Sequence, residues 1–321
     1  MDPESTLLAA IVAQPDDAFV WLALADCLEE LGRTSEAELT RLRESMRHAT
    51  LRASGRAGRE RRLQLLLEQG VHPVVPQREF DLGQGEALVF CFIPPGTFFM
   101  GSPHRESGRY PNEGPRHVVH LTTGFWLGQT PLTNGQWSML TQGKVPDQRR
   151  TCPATNLDWN SLGRICVQLR ERFTEGFRLP TEAEWEYACR AGTRSPYHTG
   201  GRNEDAERAG WHSTRSKRQT HPVGEKTPNA WGLFDMHGNV WEWCLDALRP
   251  YRNLEVTNPV YEERSDTPRT LRGGSYENRP SDSRSACRGW ARADEFALHW
   301  GARLAISLDR DDPLFGVVKT E

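Results

Sequence analysis

The pattern of apolar and polar positions divides the chain into a short helical stretch and a longer region of mixed elements. Residues 5–50 predict three short helices. Leu7, Leu8, Ile11 and Val12 share one face of the first. Gln14-Pro15-Asp16-Asp17 interrupts, so a second helix starts near Ala18 with acids at its positive end. Its seam is Trp21, Leu24, Leu28 and Leu31, and Gly32 closes it. Ser35, with Glu38 three residues on, predicts a capping box for a third helix carrying Leu39, Leu42 and Met46. Val71-His72-Pro73-Val74-Val75-Pro76 reads as linker, because two prolines so close oppose helix.

From there the periodicity is mixed. Leu88–Ile93, a Pro-Pro-Gly turn and Thr97–Met100 predict a β-hairpin, and His117–Leu121 a further strand. Thr133 with Gln136 opens a short helix carrying Trp137 and Leu140. Residues 159–173 place Leu162, Ile165, Cys166, Leu169 and Phe173 on one helical face. Thr181 and Glu184 box another helix that ends at Gly192. Beyond it the chain is Gly-, Asn- and Pro-rich with short strands. The fold class is therefore α+β, with a small all-α module at residues 1–70, a linker at 71–84, a large domain at 85–308 and a tail at 309–321.

Composition changes this picture only a little. The chain has 321 residues, 26% of them charged, and a net charge of -3, which excludes a bulk-basic nucleic-acid binder. No run approaches the ~18 consecutive apolar residues of a spanning helix. The acidic start Met1-Asp2-Pro3-Glu4 carries no secretory hydrophobic region, so a cytoplasmic protein without membrane attachment is expected. Seven cysteines at wide spacing, with no CxxC, predict reduced buried thiols rather than a disulfide framework or zinc knuckle. Residues 52–62 hold five arginines and one glutamate, read as a solvated helix face or linker in preference to an anion patch. No aromatic interleaves them, so nucleic acid is not expected as a partner. Eleven tryptophans suggest loops organised around aromatic anchors.

The N-terminal stretch Leu7-Leu8-Ala9-Ala10-Ile11, Pro15-Asp16-Asp17 and Leu24-Ala25-Asp26-Cys27-Leu28-Glu29-Glu30 resembles a repeat-companion domain found at the N-termini of many planctomycete and myxobacterial proteins. The resemblance implies a bacterial origin and an adaptor that binds a partner. Six further motifs occur in the order of the formylglycine-generating-enzyme, or sulfatase-modifying-factor, family. They are Gly96–Ser102, Pro131–Asn134, Phe177–Ala188, Asn229–Trp243, Arg272–Tyr276 and Gly301–Ala305. That resemblance implies a C-type-lectin-like fold of small antiparallel sheet, two helices and long ordered loops. Trp231, Trp241 and Trp243 would pin loops, and Arg178, Arg272 and Arg303 would hold them by bidentate hydrogen bonds.

The family's enzymes oxidise a substrate cysteine using copper held by two thiols after the Gly-Gly-Ser-Tyr motif. Paired soft thiolates select Cu(I). Here Asn278 and Ser283 stand at those positions and Cys287 lies alone beyond them, so no copper is expected. Related ergothioneine-type sulfoxide synthases use an iron-binding histidine cluster on their helical bundle, whereas residues 1–70 contain only His48. The family also binds calcium in the loop matching residues 235–242. Carried over, Asp235 and Glu242 would be carboxylate ligands, and Gly238 and Val240 would give carbonyls. The alternative is a metal-free loop with Asp235 as a turn residue and Glu242 ion-paired.

Residues 272–305 also resemble the variable region of diversity-generating retroelement target proteins, which use this fold without catalysis. Between framework residues sit Tyr276, Asn278, Ser281, Asp282, Ser283, Cys287, Gly289, Ala291, Phe296, Leu298 and His299. Each type is reachable by changing the first two bases of an asparagine codon ending in C, whereas Glu277 and Glu295 are not. The expected function is non-catalytic binding of a protein or other macromolecular ligand through this surface. The competing reading is a formylglycine-generating-type oxidase.

Overall fold

A computed structural model of the chain describes residues 2–48, 53–144, 146–261 and 267–308. The expected tail at 309–321, and Arg52 of the basic run, lie outside these residues. The helical module consists of α1 (Pro3–Ala13), α2 (Ala18–Glu30), α3 (Thr34–His48) and α4 (Arg56–Glu68). Asp17 caps α2 by accepting from the Phe19 amide, as its position before the apolar seam predicts. Trp21, Leu24 and Leu28 are buried in that seam, but Leu31 is exposed, one step before the turn that Gly32 makes. Helix α3 begins at Thr34, so Ser35 lies inside its first turn and the expected Ser35 box is replaced by a start two residues earlier.

The basic run forms most of α4. Arg61 and Arg62 face solvent as expected, but Arg56 turns inward and is buried. Only residues 71–76 are linker. Gln77–Gly83 is strand β1, whose alternating Phe80 and Leu82 give it an inward face.

The remaining elements are β2 (Glu86–Ile93), β3 (Gly96–Met100), β4 (His117–Leu121), β5 (Phe125–Gly128), α5 (Asn134–Thr141), α6 (Trp159–Phe173), β6 (Gly176–Arg178), α7 (Glu182–Arg190), α8 (Asn203–Ala209), β7 (Trp241–Ala247), β8 (Val256–Thr257), β9 (Arg269–Arg272), β10 (Arg288–Ala291), β11 (Trp300–Gly301) and β12 (Ala305–Ser307). They build three sheets, ordered β1-β2-β5-β12-β6, β10-β9-β7-β11 and β3-β4-β8. The expected hairpin over 88–100 does not form. Pro94 and Pro95 carry the chain from β2 in the first sheet to β3 in the third, where β3 pairs with β4. Proline offers no amide for a tight hairpin ladder, so the turn redirects the chain instead.

Phe80, Phe90, Phe173 and Phe177 meet edge-on beneath α6 and seal the first sheet. The helical module is docked on this body. Arg43 of α3 is fully buried between the rings of Trp21 and Trp231, at 4.5 and 5.0 Å, and donates to the carbonyls of Val74 and Ala230. The long loops of the C-terminal half then wrap the second sheet, which carries the candidate site. No helix of the described residues is long and apolar enough to cross a membrane.

Candidate functional site

Buried arginine–carboxylate pairs hold the second sheet and its loops. Helix α7 supplies three acids. Glu182 and Glu186, one turn apart, face the same way, and Glu184 faces the other. Glu182 takes Arg288 at 2.7 and 2.8 Å, and Glu186 takes both Arg190, at 2.7 Å, and Arg272. Glu184 completes the Thr181 box and takes Arg178 in two parallel bonds of 2.7 Å. Burial alone would raise the Glu182 carboxyl, but Arg288 and Arg272 outweigh it and hold it below the ordinary value. Arg284 ties the C-terminal segment to the 103–113 loop, donating to Glu106 at 2.7 Å, to Glu113 at 2.8 Å and to the Gly108 carbonyl. The arginines expected to be structural are structural.

The candidate ligand positions divide by burial. Tyr276, Ser283, Cys287 and Ala291 are buried, which corrects their expected place on an exposed surface. Each has an inward role or an apolar one: the Tyr276 hydroxyl donates to the Leu298 carbonyl, and the Ser283 carbonyl accepts from the His237 ring. Asn278, Ser281, Asp282, Gly289 and His299 are half-buried, while Phe296 and Leu298 are exposed. Asp282 accepts from Tyr110, so it turns toward the 103–113 loop. Asn278, Gly289 and His299 gather on the other side around Trp241. The Trp241 indole donates to Asn278 Oδ1 at 2.8 Å, its amide donates to the His299 carbonyl, and a Cβ on Gly289 would sit 3.1 Å from its ring.

Sequence reasoning passed over Trp290. It lies on edge strand β10 and is 56% exposed, comparable with Phe296 at 60% and Leu298 at 70%. No asparagine codon ending in C becomes tryptophan through its first two bases, so the codon rule excludes it. Burial along β10 runs buried, half-buried, exposed, buried from Arg288 to Ala291, so no alternation in the sequence marked it. Three large apolar side chains, Trp290, Phe296 and Leu298, are thus exposed within one 9-residue span (residues 290–298).

The two metals implied by the resemblance meet different residues here. At the copper positions, Asn278 Oδ1 is already bonded to Trp241 and Ser275, and Ser283 Oγ is buried without a partner. Burial pushes the Cys287 thiol up to about 12, so it is no thiolate at neutral pH. Hard, neutral or protonated groups do not make a soft dithiolate site, and the residues do not fit copper.

The calcium loop fares similarly. Glu242 accepts from Arg303 at 2.9 and 3.0 Å and from the Trp185 indole at 2.6 Å, so a cation already neutralises it. The Gly238 carbonyl accepts from the Val240 amide. Asp235, at φ 58°, accepts from Gly224 and Asn239, and burial pushes its carboxyl up to about 6. Among the described residues no group of three or more His, Cys, Asp or Glu could hold a metal. In this geometry Asp235 is a turn residue and Glu242 is ion-paired, so both carboxylates are engaged within the chain. A thermal melt in excess EDTA and one in millimolar calcium are accordingly expected to coincide within about 1 °C; a calcium-dependent rise would show the ion displacing Arg303.

The sulfatase-modifying factor enzyme 1-like domain matches residues 81–308. Among characterised relatives, the formylglycine-generating enzyme of Mycobacterium tuberculosis is 35% identical over 70% of this chain and 98% of its own length. The hercynine oxygenase of Mycolicibacterium smegmatis is 29% identical over 69% of this chain, and the chain spans 62% of that protein. Among solved structures, variable protein 1 of Treponema denticola superposes with a TM-score of 0.65 at 21% identity, over 73% of this chain and all of that one. PvdO from Pseudomonas aeruginosa gives 0.63 at 28% identity, over 72% and 98%. These likenesses establish the C-type-lectin-like scaffold expected from the motifs.

Proposed function

Since this chain belongs to the sulfatase-modifying factor enzyme 1-like family, we propose that it keeps the family's scaffold for binding a macromolecular ligand and has given up oxidation of a substrate cysteine. The observation that carries this reading is that Asn278 and Ser283 stand in place of two thiols while the same C-terminal segment exposes Trp290, Phe296 and Leu298 to solvent. The binding face consists of Trp290, Phe296 and Leu298, with Asn278, Gly289 and His299 at its margin. Aromatic area gives affinity, and the neighbouring amide and imidazole groups of Asn278 and His299 give directionality. Buried ion pairs behind the face keep its backbone fixed while surface side chains differ.

The mechanism is one of presentation. Arg288 anchors the chain to Glu182 just before the exposed positions, and Arg303 anchors it to Glu242 just after them. A ligand would meet side chains between fixed points, with little backbone ordering left to occur on binding. Templated diversification of the exposed positions is part of the same proposal; sequencing DNA beside the codons for residues 272–305 tests it, through a near-repeat differing at adenines next to a reverse-transcriptase gene.

The activity of the two enzyme relatives supplies the opposite outcome. Cu(I) competition and oxygen uptake with a cysteine-containing peptide are expected to show neither tight copper binding nor turnover. Product formation at a rate proportional to protein would overturn the reading.

A further inference from the structure

Where the helical module meets the lectin-like body, a cleft opens between α3, α4, β3 and the loop after α7. Its lining is unusually cationic. Arg56 forms part of the wall, together with Arg116 and Arg194, and Arg43 lies beside it. Arg43, Arg56, Arg116 and Arg194 have no ion-pair partner among the described residues. Glu60, the nearby acid, uses Oε1 to accept from the Arg194 and Ser195 amides and the Ser195 hydroxyl. Glu186 is occupied by Arg190 and Arg272.

Two of these guanidinium groups flank one ring. Arg116 stands 4.6 Å and Arg194 5.3 Å from the centroid of Phe99. Arg194 leaves both Nε and Nη2 buried without a hydrogen-bond partner. Those two N–H groups share one edge of the guanidinium plane, the edge that takes two oxygens of an oxyanion side-on. Arg56 is only 7% exposed, donates to the carbonyls of Met46 and Gly192, and likewise leaves Nε without a partner. It is also the first residue of α4, whose cap Gly55 contributes no side-chain bond, so the positive end of that helix adds to the field. Burial and mutual repulsion lower Arg56, Arg116 and Arg194 below the ordinary arginine value, with Glu60 and Glu106 opposing.

We propose that this seam is a binding site for a phosphate group, held between Arg116 at the rim and Arg56 at the floor, with Arg194 turning its unpartnered Nε–Nη2 edge out of its present covered position to grip the anion. The enclosed space is about 30 Å³, room for about two water-sized groups, so phosphate oxygens enter and any ester carbon points outward. Several uncompensated cations favour a dianion over a carboxylate. Because Arg56 belongs to the module and Phe99, Arg116 and Arg194 to the body, an occupied site fastens the two together. The seam lies apart from the C-terminal binding face and does not depend on it.

Calorimetric titration of the full chain with inorganic phosphate, with glycerol phosphate and with acetate, at matched ionic strength, tests it. Saturable phosphate binding is expected, weakened about tenfold or more in Arg194→Gln and reduced in Arg116→Gln. Arg194→Lys keeps the charge but loses the forked edge, and is expected to fall close to Arg194→Gln. Thermal melts without phosphate check folding, and both glutamine variants should be at least as stable as the parent because each removes an unpaired cation. Glycerol phosphate binding as tightly as phosphate identifies a phosphomonoester ligand, and phosphate alone identifies the free anion. Acetate binding equally well, or unchanged phosphate affinity in Arg194→Gln, overturns the site.

Discussion

Arg303→Met is expected to destabilise the protein by about 3–5 kcal/mol, because it leaves a buried carboxylate without its cation. Arg303 and Glu242 are both fully buried. The guanidinium meets both Glu242 oxygens and also donates to the Gly128 and Phe234 carbonyls, at 2.7 and 2.6 Å. Methionine fills similar volume but satisfies none of these groups, and Glu242 would keep only the Trp185 indole. In a domain of this size the loss corresponds to a melting temperature lower by about 10 °C. Adding Glu242→Gln removes the stranded charge, so the double variant should recover part of the loss. Recovery stays incomplete, since each orphaned carbonyl still costs about 1–3 kcal/mol. Urea unfolding of the single and double variants measures both steps. A loss below about 1 kcal/mol, as for a solvated pair, would mean that water reaches Glu242.

How far the sequence alone leads can be judged from such residues. Local signals were legible. The Thr133–Gln136 and Thr181–Glu184 boxes and the apolar face of residues 159–173 set α5, α7 and α6 where they stand, because capping depends on atoms within one turn. Strand partners were not legible. β2 and β3 look like one hairpin, yet they belong to different sheets, and only distant β4 and β5 decide that. β1 was hidden behind the prolines before it, although Phe80 and Leu82 alternate as a strand should. α8 lacks an apolar stripe and buries only Ala206 and Ala209 on its apolar side, so no periodicity announces it.

The site divides in the same way. Residue types excluded a dithiolate without any structure, since Asn278 and Ser283 carry no sulfur. Burial needed the fold: Tyr276 and Cys287 have the same codon logic as Phe296, and only packing sends the first two inward. The cationic seam was beyond reach, because Arg56, Arg116 and Arg194 come from three separate stretches of chain, and a basic run in α4 reads as solvated until Arg56 is seen to turn under the body. Charge density in a sequence window says little about charge density in space.

Two glycines with similar neighbours, Ala57-Gly58-Arg59 and Ala209-Gly210-Trp211, should respond oppositely to alanine, and the contrast tests how the loops behind the binding face are built. A Cβ on Gly210 would stand 1.4 Å from the His237 carbonyl oxygen and 2.4 Å from its carbon. The obstacle is backbone, and it is held: Gly238 donates to the Gly273 carbonyl, Asn239 to the Trp211 carbonyl, and the His237 ring to the Ser283 carbonyl. Yielding to the new methyl group therefore moves the end of β9 and the start of the candidate ligand segment together. Gly210→Ala should cost more than about 3 kcal/mol, above the usual range for an overpacked core, read as a lower urea midpoint or as failure to accumulate folded protein. Gly58, in the exposed first turns of α4, has no heavy atom within 4 Å of where a Cβ would stand and no positive φ. Gly58→Ala should stabilise by about 0.5–1 kcal/mol, since alanine restricts the unfolded chain and favours helix. If both variants unfold within about 1 kcal/mol of the parent, the two loops do not touch through Gly210, and the rigid backing ascribed to residues 272–305 is lost with that contact.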